Sequence, residues 1–443
     1  MREYPYWLEA GGPQLPASSS RSPTASPQPL VPSLQPLVSS PQSPVDVAVV
    51  GGGYTGLAAA RSLARAGASV AVFERDAIGS GASSRNGGQV LAGLKLDPQT
   101  LVARYGESQA RRLFEIGTGA VDRLEALVAE EAMACDYARC GHLQAAWKPK
   151  HFDEFRAEQA LLARAFGHRV ELVSRGEQRA ELGSDLYHGL LVDERSGAIN
   201  PARYVHELAA AARRAGASLA AHVSVRRLDR RSGGWRVVTS AGGVEARDVL
   251  LATDGYTDEA APALRRRIVP IGSYIIATEP LAEEVASTLL PRGRVAFDSK
   301  YFLYYFRVTP DRRLLFGGRA EFSRPTAQSA RRAAEILRRG MAAVFPQIAS
   351  ARVDYAWGGS VGFTRDQMPH AGRLDGAYYA GGYCGHGIAM ATYLGELVAR
   401  RIAGDPAAHP LLDAPFDAIP LYRGNPWFLP LVGAWYRIKD WLQ

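Results

Sequence analysis

The chain has 443 residues, 47% hydrophobic and 22% charged, which is ample for a large core and excludes a disordered or fibrous protein. Its net charge of +8 comes from arginine clusters scattered over loops and helix ends without any nucleic-acid-binding motif, so no nucleic-acid partner is expected. The cysteines Cys135, Cys140 and Cys384 form no CxxC pair, no segment has the continuous apolar length of a membrane span, and the N-terminus shows no charged-then-apolar leader; the expected setting is reducing and cytoplasmic.

The opening stretch REYPYWLEA carries aromatics expected to dock on the body. From Pro13 to Pro44 proline and serine dominate and QPLV occurs twice, so this stretch reads as an extended linker. The apolar run Val45 to Val50 then reads as a buried parallel strand, and Gly51, Gly53 and Gly56 open a helical pattern through Leu57, Ala60, Leu63 and Ala64. Gly51 permits the tight turn, Gly53 lets a pyrophosphate approach the backbone, and Gly56 lets helix and strand pack closely. The free amides of the first helical turn, at Tyr54 and Thr55, face the anion. A second strand, Ser69 to Phe73, ends at Glu74 and Arg75. Glu74 lies some twenty residues past the glycines, where a carboxylate accepts the hydroxyl protons of an adenosine ribose and repels a 2′-phosphate.

A lone GxGxxG does not separate NAD from FAD, but the next stretch, GSGASSRNGGQV, does. It is too polar and glycine-rich for the helix and strand that an NAD domain would place here. It reads as a cradle: Gly81, Ala82, Ser83 and Ser84 offer donors to a pyrophosphate and ribityl chain, Arg85 a charge, and Asn86, Gly87, Gly88 and Gln89 donors toward a ring.

Farther along, residues 101–131 have helical spacing, Pro201 starts a helix that Gly216 ends, and LAAHVSVRRL reads as the strand after it. VLLATDGY is an apolar strand ending in Thr253, Asp254 and Gly255. From about Ile268 to Phe316 the pattern is that of an antiparallel sheet with a turn at Pro310 and Asp311. Period two puts Phe302, Tyr304 and Phe306 on one face and Tyr301, Leu303, Tyr305 and Arg307 on the other; either set can wall a pocket, and Tyr304 is the residue selected here. AYYAGGYCGHGIAMATYLGELVARRIAG reads as strand, glycine turn and helix, so that Gly382, Gly385 and Gly387 bring backbone donors and a positive helix end to one point beside Tyr383, His386 and Ile388.

With these motifs in place, GGGYTGL followed by GASSRNGGQ, together with SGAINP, DVLLATDGY, RLLFGGR, TRDQMPHAGR and YYAGGYCGHG, resembles the glycine oxidase and D-amino-acid oxidase superfamily of FAD enzymes, and within it most resembles the gamma-glutamylputrescine oxidoreductase branch. The resemblance runs from about Val45 to the end. It implies an α/β fold in which a Rossmann-like FAD-binding domain is interleaved with an antiparallel-sheet α+β substrate domain. The corresponding division is an N-terminal segment with linker at 1–44, FAD-binding parts at 45–120, 199–265 and 351–405, substrate-domain parts at 121–198 and 266–350, and an aromatic tail at 406–443. It further implies that Val225 meets the adenine, that Thr253 and Gly255 pass the pyrophosphate, and that Gly358 and the loop of Thr364, Asp366, Pro369 and Gly372 lie by the ring. Sarcosine-oxidase relatives attach their flavin to a cysteine before that loop; GGSVGF has none, so FAD is expected to be non-covalent and no metal is expected.

The implied reaction is hydride transfer from the carbon beside an amine nitrogen to FAD, with imine hydrolysis and reoxidation by oxygen or another acceptor. His386, Tyr304 and Gln89 are the candidates for catalysis; His386 also has a plain reading as a structural hydrogen-bond donor. Tyr304, Arg307 and Arg319 are the candidates for substrate contact, since an arginine fork suits a carboxylate; both arginines also have a plain reading as fold or surface residues. The alternatives to an amine oxidase are a membrane-associated dehydrogenase of D-amino or secondary amino acids, using the aromatic tail NPWFLPLVGAWYRIKDWLQ as a surface helix, and a non-catalytic flavin-binding protein. Docking of the tail on its own fold is preferred to membrane contact.

Overall fold

The structure is a computed structural model and describes residues 1–10, 43–318 and 327–442. Most of the proline- and serine-rich linker and the substrate candidate Arg319 therefore lie outside the described residues.

The run VDVAVV forms the strand Val45–Val50, followed by the helix Tyr54–Arg65 and the strand Val70–Phe73. Val45–Val50 pairs in parallel with Val70–Phe73 on one side and with Gly242–Leu251 on the other, and Val70–Phe73 pairs in parallel with Ser218–Ala220. Ala377–Gly381 extends the sheet beyond Gly242–Leu251, with His370–Leu374 antiparallel at its edge. A central parallel strand is apolar throughout because both of its faces are covered. Val47 and Val49 pack under the helices Tyr54–Arg65, Pro201–Arg214 and Gly387–Ile402, while Ala48 and Val50 face a second layer with Trp235 and Val237.

The second sheet runs Val353–Phe363, Val269–Thr278, Leu314–Gly318, Tyr304–Val308, Val295–Asp298, His142–Ala145, Leu190–Asp193, Glu171–Val173. It is antiparallel except where Val295–Asp298 meets His142–Ala145. Helix Ala327–Val344 covers one face through Ala333, Leu337, Met341 and Val344. The two sheets draw on alternating stretches of chain, so the expected interleaved α/β architecture is what the molecule has.

Several expected boundaries fall elsewhere. GASSRN is a helical turn, Ala82–Arg85, and Gln89–Val90 is a short strand paired with Gly197–Ala198, so the cradle is built on regular structure and is not an open loop. Helix Pro98–Glu130 runs across the boundary placed at 120, with Asp97 capping its start by accepting from the Thr100 amide at 2.8 Å. LAAHVSVRRL is two strands, Ser218–Ala220 and Val225–Arg231, with His222 in a left-handed turn between them (φ 60). Val353–Phe363, assigned to the third FAD-binding stretch, pairs with Val269–Thr278 in the second sheet.

Candidate functional site

A cavity of ≈ 880 Å³ lies where the two sheets meet. One end is lined by Glu74, Arg75 and Val225, its middle by Gly51, Gly53, Tyr54 and Thr55 with Gly81, Ala82 and Ser83, and its far end by Gln89, Tyr305 and His386. Arg85, Asn86, Gly87, Thr253, Gly358, Tyr383, Gly385, Gly387 and Ile388 also line it. Residues dispersed over more than three hundred positions of sequence thus converge on one elongated space.

The middle is bare backbone. Gly51 has φ 109, and a Cβ there would lie 2.6 Å from the Ala252 carbonyl oxygen. A Cβ at Gly53 would lie 2.8 Å from Ser83 Oγ. Gly53 is the N-cap of Tyr54–Arg65 and has no side chain to cap it, and the helix's positive end is presented to the cavity, with the Tyr54 amide, expected to be free, taken by Ser83. Ser83 Oγ accepts from the Tyr54 amide at 3.1 Å, and Tyr54 Oη donates to the Ser83 carbonyl at 2.6 Å, locking the second glycine run onto the first. Gly56 serves packing only: it does not line the cavity, and a Cβ there would lie 2.0 Å from the Gly51 carbonyl oxygen. Glu74 lines one end and accepts from the Gly52 amide at 2.8 Å and from the Asp76 amide at 3.0 Å, which fixes its carboxylate. Length, a glycine-walled helix start and a fixed acid at one end fit a flavin dinucleotide.

The cradle is held from behind by side-chain donors that sequence reading had not assigned. Trp357 Nε1 donates to the Arg85 carbonyl at 2.9 Å, Trp7 Nε1 to the Asn86 carbonyl at 2.8 Å, and Arg307 Nη1 to the Gly88 and Ile199 carbonyls at 2.8 and 2.9 Å. A peptide plane carries its carbonyl and the following amide on opposite sides. Drawing these carbonyls away from the cavity therefore turns the next amides, those of Asn86, Gly87 and Gln89, toward it. Trp7 is fully buried, so the N-terminal aromatics do dock, directly behind the cradle.

Some expected ligands have other work. Arg85 donates to the Ser80 carbonyl at 2.8 Å and the Gly358 carbonyl at 3.3 Å, bridging cradle to second sheet. The Asn86 amide group bonds within the cradle, to the Ala82 and Ser83 carbonyls and from the Gly88 amide. Gln89 Nε2 is bound to the Ala296 and Phe306 carbonyls, so its amide nitrogen is a strut. Ser84, Gly88, Gly255 and Gly382 lie behind the wall; Gly382 donates its amide to Asp254 Oδ1 at 2.7 Å. Asp254, passed over between Thr253 and Gly255, lines the cavity and gathers the strand ends at Gly362 and Tyr383, and burial raises its carboxyl above the usual range. The Thr364, Asp366, Pro369 and Gly372 loop does not line the cavity; its Asp366 pairs with His370 at 3.0 Å.

At the far end the choice of face is reversed. Tyr304 is not in the cavity wall: its ring lies 4.9 Å from that of Phe316 and beneath Lys300 at 3.6 Å, on the side covered by helix Ala327–Val344. Tyr305 holds the wall position, with its hydroxyl 3.0 Å from Ser273 Oγ and its ring over Gly87 and Gly317, where a Cβ would collide with it. Arg307 shares the Tyr305 parity but is buried under the cradle and does not reach the cavity. The alternation was readable; which face belongs to the core depended on the helix Ala327–Val344, which lies downstream. Leu91, Lys95, Ile271, Phe297, Leu303 and Phe363 complete this end.

His386 is the N-cap of Gly387–Ile402, and no side chain caps that helix. Burial, reinforced by Lys95 and His142, pushes its imidazole down to about 3, so the ring is neutral at physiological pH; its Nδ1 is buried without a hydrogen-bond partner among the described residues. Burial pushes the Cys384 thiol up to about 11, which keeps it protonated and unreactive despite its place in the wall. Among the described residues no cluster of His, Cys, Asp and Glu could hold a metal ion.

Comparison with known proteins agrees with this geometry. The chain is 34% identical over 362 residues to the gamma-glutamylputrescine oxidoreductase of Escherichia coli, covering 81% of this chain and 84% of that one. It is 33% identical over 366 residues to the probable oxidoreductase OrdL of Haemophilus influenzae, covering 81% and 83%. The glycine oxidase of Geobacillus kaustophilus superposes with a TM-score of 0.72 at 22% identity, covering 86% of this chain and all of that one. The L-proline dehydrogenase from P. horikoshii superposes at 0.69 with 20% identity, covering 83% and 96%. Residues 46–401 match the model of the DAO family, and the chain belongs to that family of FAD dependent oxidoreductases.

Proposed function

We propose that the protein oxidises the CH–NH bond of an amine of the gamma-glutamylputrescine type or a related amine, holding FAD non-covalently and passing electrons to oxygen. The observation that carries this reading is the far wall of the cavity, where Phe297, Leu303, Tyr305 and Phe363 enclose the space and the expected carboxylate fork Arg307 is turned away from it. The 34% identity to a gamma-glutamylputrescine oxidoreductase supports the substrate class.

The flavin, when bound, supplies the acceptor for a hydride from the carbon beside the amine nitrogen, leaving an imine for water to hydrolyse to an aldehyde and ammonia. The starts of Tyr54–Arg65 and Gly387–Ile402 bring positive helix ends to the cavity and favour negative charge there by about 0.3–2 kcal/mol each. The aromatic and aliphatic wall excludes water from an ammonium, depressing its pKa and favouring the neutral amine that loses hydride. His386 lines the cavity as a neutral ring and is too weak a base to take the proton of a bound amine. The protonated Cys384 is no nucleophile toward the cofactor, and acid precipitation should release the flavin into the supernatant.

The test is an anaerobic titration of the purified protein, following flavin absorbance at about 450 nm as amines, gamma-glutamylated amines and amino acids are added. Bleaching by gamma-glutamylated or simple amines, reversed by air with formation of hydrogen peroxide, is the expected result. Bleaching only by D-amino or secondary amino acids would replace the substrate class, and recovery only with a quinone would replace the acceptor.

A further inference from the structure

The C-terminal segment has two apolar faces, and the cavity uses one of them. On the inner side Leu429, Phe428 and Val432 pack with Ile271 and Phe363, whose other sides line the cavity, and with Phe302. On the outer side Trp427, Leu431 and Trp435, spaced by four, are 58%, 69% and 56% exposed. With Leu421 at 85% they make up half of the exposed large hydrophobic side chains among the described residues, all within fifteen positions. Scattered exposed apolar residues need no explanation, whereas a concentrated set marks an interaction surface.

The chemistry of the patch selects its partner. Lys439 lies between Tyr301 and Trp435, its Nζ 5.4 and 5.6 Å from the two ring centroids, so a cation sits among the exposed aromatics. Residues 421–443 contain Arg423, Arg437 and Lys439 against one acid, Asp440. The exposed Arg266 adjoins the segment, its carbonyl accepting from the Ile419 amide at 2.9 Å. Indole and phenol rings with basic side chains beside them suit the headgroup level of a bilayer, where an apolar body and a polar edge are both satisfied and the cations meet anionic lipid. No helix among the described residues is long and apolar enough to cross a membrane, so the segment would lie along the interface without spanning it.

We propose that the C-terminal segment is an interfacial docking surface for an anionic lipid bilayer, built on the outside of the cavity wall. It goes beyond the amine-oxidation reading and holds whatever the substrate. The test is flotation of the full-length holoprotein with vesicles of phosphatidylcholine alone or with about three-tenths phosphatidylglycerol, read by tryptophan emission as well as by co-migration. Binding to the anionic vesicles with a blue shift is expected, weakened at about 0.5 M salt. A Leu431→Gln, Trp435→Gln double variant, altered only at exposed positions, should keep its flavin and melting temperature and bind roughly tenfold less. Failure to bind either vesicle, or equal binding by the double variant, would overturn the proposal. So would concentration-dependent dimerisation abolished by the same two substitutions, which would show that a second copy of the chain covers the face.

Discussion

At the Gly51 end of the cavity the wall is made of backbone, and at the Tyr305 end it is made of side chains. The first end offers a helix start approached through glycines whose Cβ atoms would strike neighbouring chain. The second is a sheet face bearing Phe297, Leu303 and Tyr305, with Ile271 and Phe363 alongside. A backbone wall tolerates almost no substitution and recognises what all dinucleotides share. A side-chain wall can be rewritten residue by residue, which is where relatives of one fold acquire different substrates.

The largest expected effect lies at the backbone end. In Gly51→Ala the new methyl meets the Ala252 carbonyl at 2.6 Å in a left-handed conformation, φ 109. The conformation and the overpacking together cost about 2–5 kcal/mol. Because this falls on the FAD-facing turn, the FAD dissociation constant should rise by roughly a hundredfold, measured by fluorescence titration of stripped protein. Next is Arg307→Met, which leaves the Ile199 carbonyl buried without its donor, at about 1–3 kcal/mol, and removes one of two donors from the Gly88 carbonyl, which keeps the Ile199 amide at 2.9 Å. Lower thermal stability and weaker FAD retention with substrate KM unchanged are expected; a selective rise in KM would return Arg307 to the substrate role that its position argues against.

At the side-chain end, Tyr305→Ala should lower kcat/KM by roughly tenfold or more, equivalent to about 1.4 kcal/mol of lost transition-state binding, while Tyr304→Phe stays within about twofold. Steady-state kinetics on the pair tests the assignment of faces directly. A smaller effect is expected for Trp7→Phe, which keeps the buried ring and removes only the bond to the Asn86 carbonyl. Loss of one such bond, about 0.5–1.5 kcal/mol, corresponds to FAD binding weakened by roughly two- to tenfold.

What could be read from the sequence follows the same division. The spacing of Gly51, Gly53 and Gly56 and the acid at Glu74 carry their meaning within one strand-turn-helix unit, even though the chain that closes over Gly51 and Gly53, at Ala252 and Ser83, comes from outside it. Tyr304 and Tyr305 alternate just as visibly, but which of them meets the cavity is set by a helix beginning at Ala327, more than twenty positions away. Trp7 and Arg307 were harder still, because their work is to bond carbonyls at 86 and 88, and a backbone acceptor leaves no mark in sequence. Asp254 was hidden for a similar reason: its remote partners are the backbone amides of Gly382, Gly362 and Tyr383.

The smallest effect on activity is expected at His386, where the two kinds of wall meet. Its folded-state pKa is depressed to about 3 by burial, Lys95 and His142, against about 6.5 in an unfolded chain. The neutral ring is therefore the form the fold favours. Above pH 6.5 both states carry it neutral and its contribution to stability is fully present; as pH falls toward 3 the unfolded chain takes up a proton that the folded one refuses, and that contribution is lost. Wild-type protein should accordingly lose melting temperature between pH 7 and 5 more steeply than His386→Gln, which has nothing to protonate. In the same window His386 does not change charge in the folded enzyme, so the acidic limb of kcat/KM should come from the substrate ammonium and keep its shape in the variant. An acidic limb that disappears in His386→Gln would mean that the imidazole titrates in the working site and that the helix start at Gly387 faces a cation.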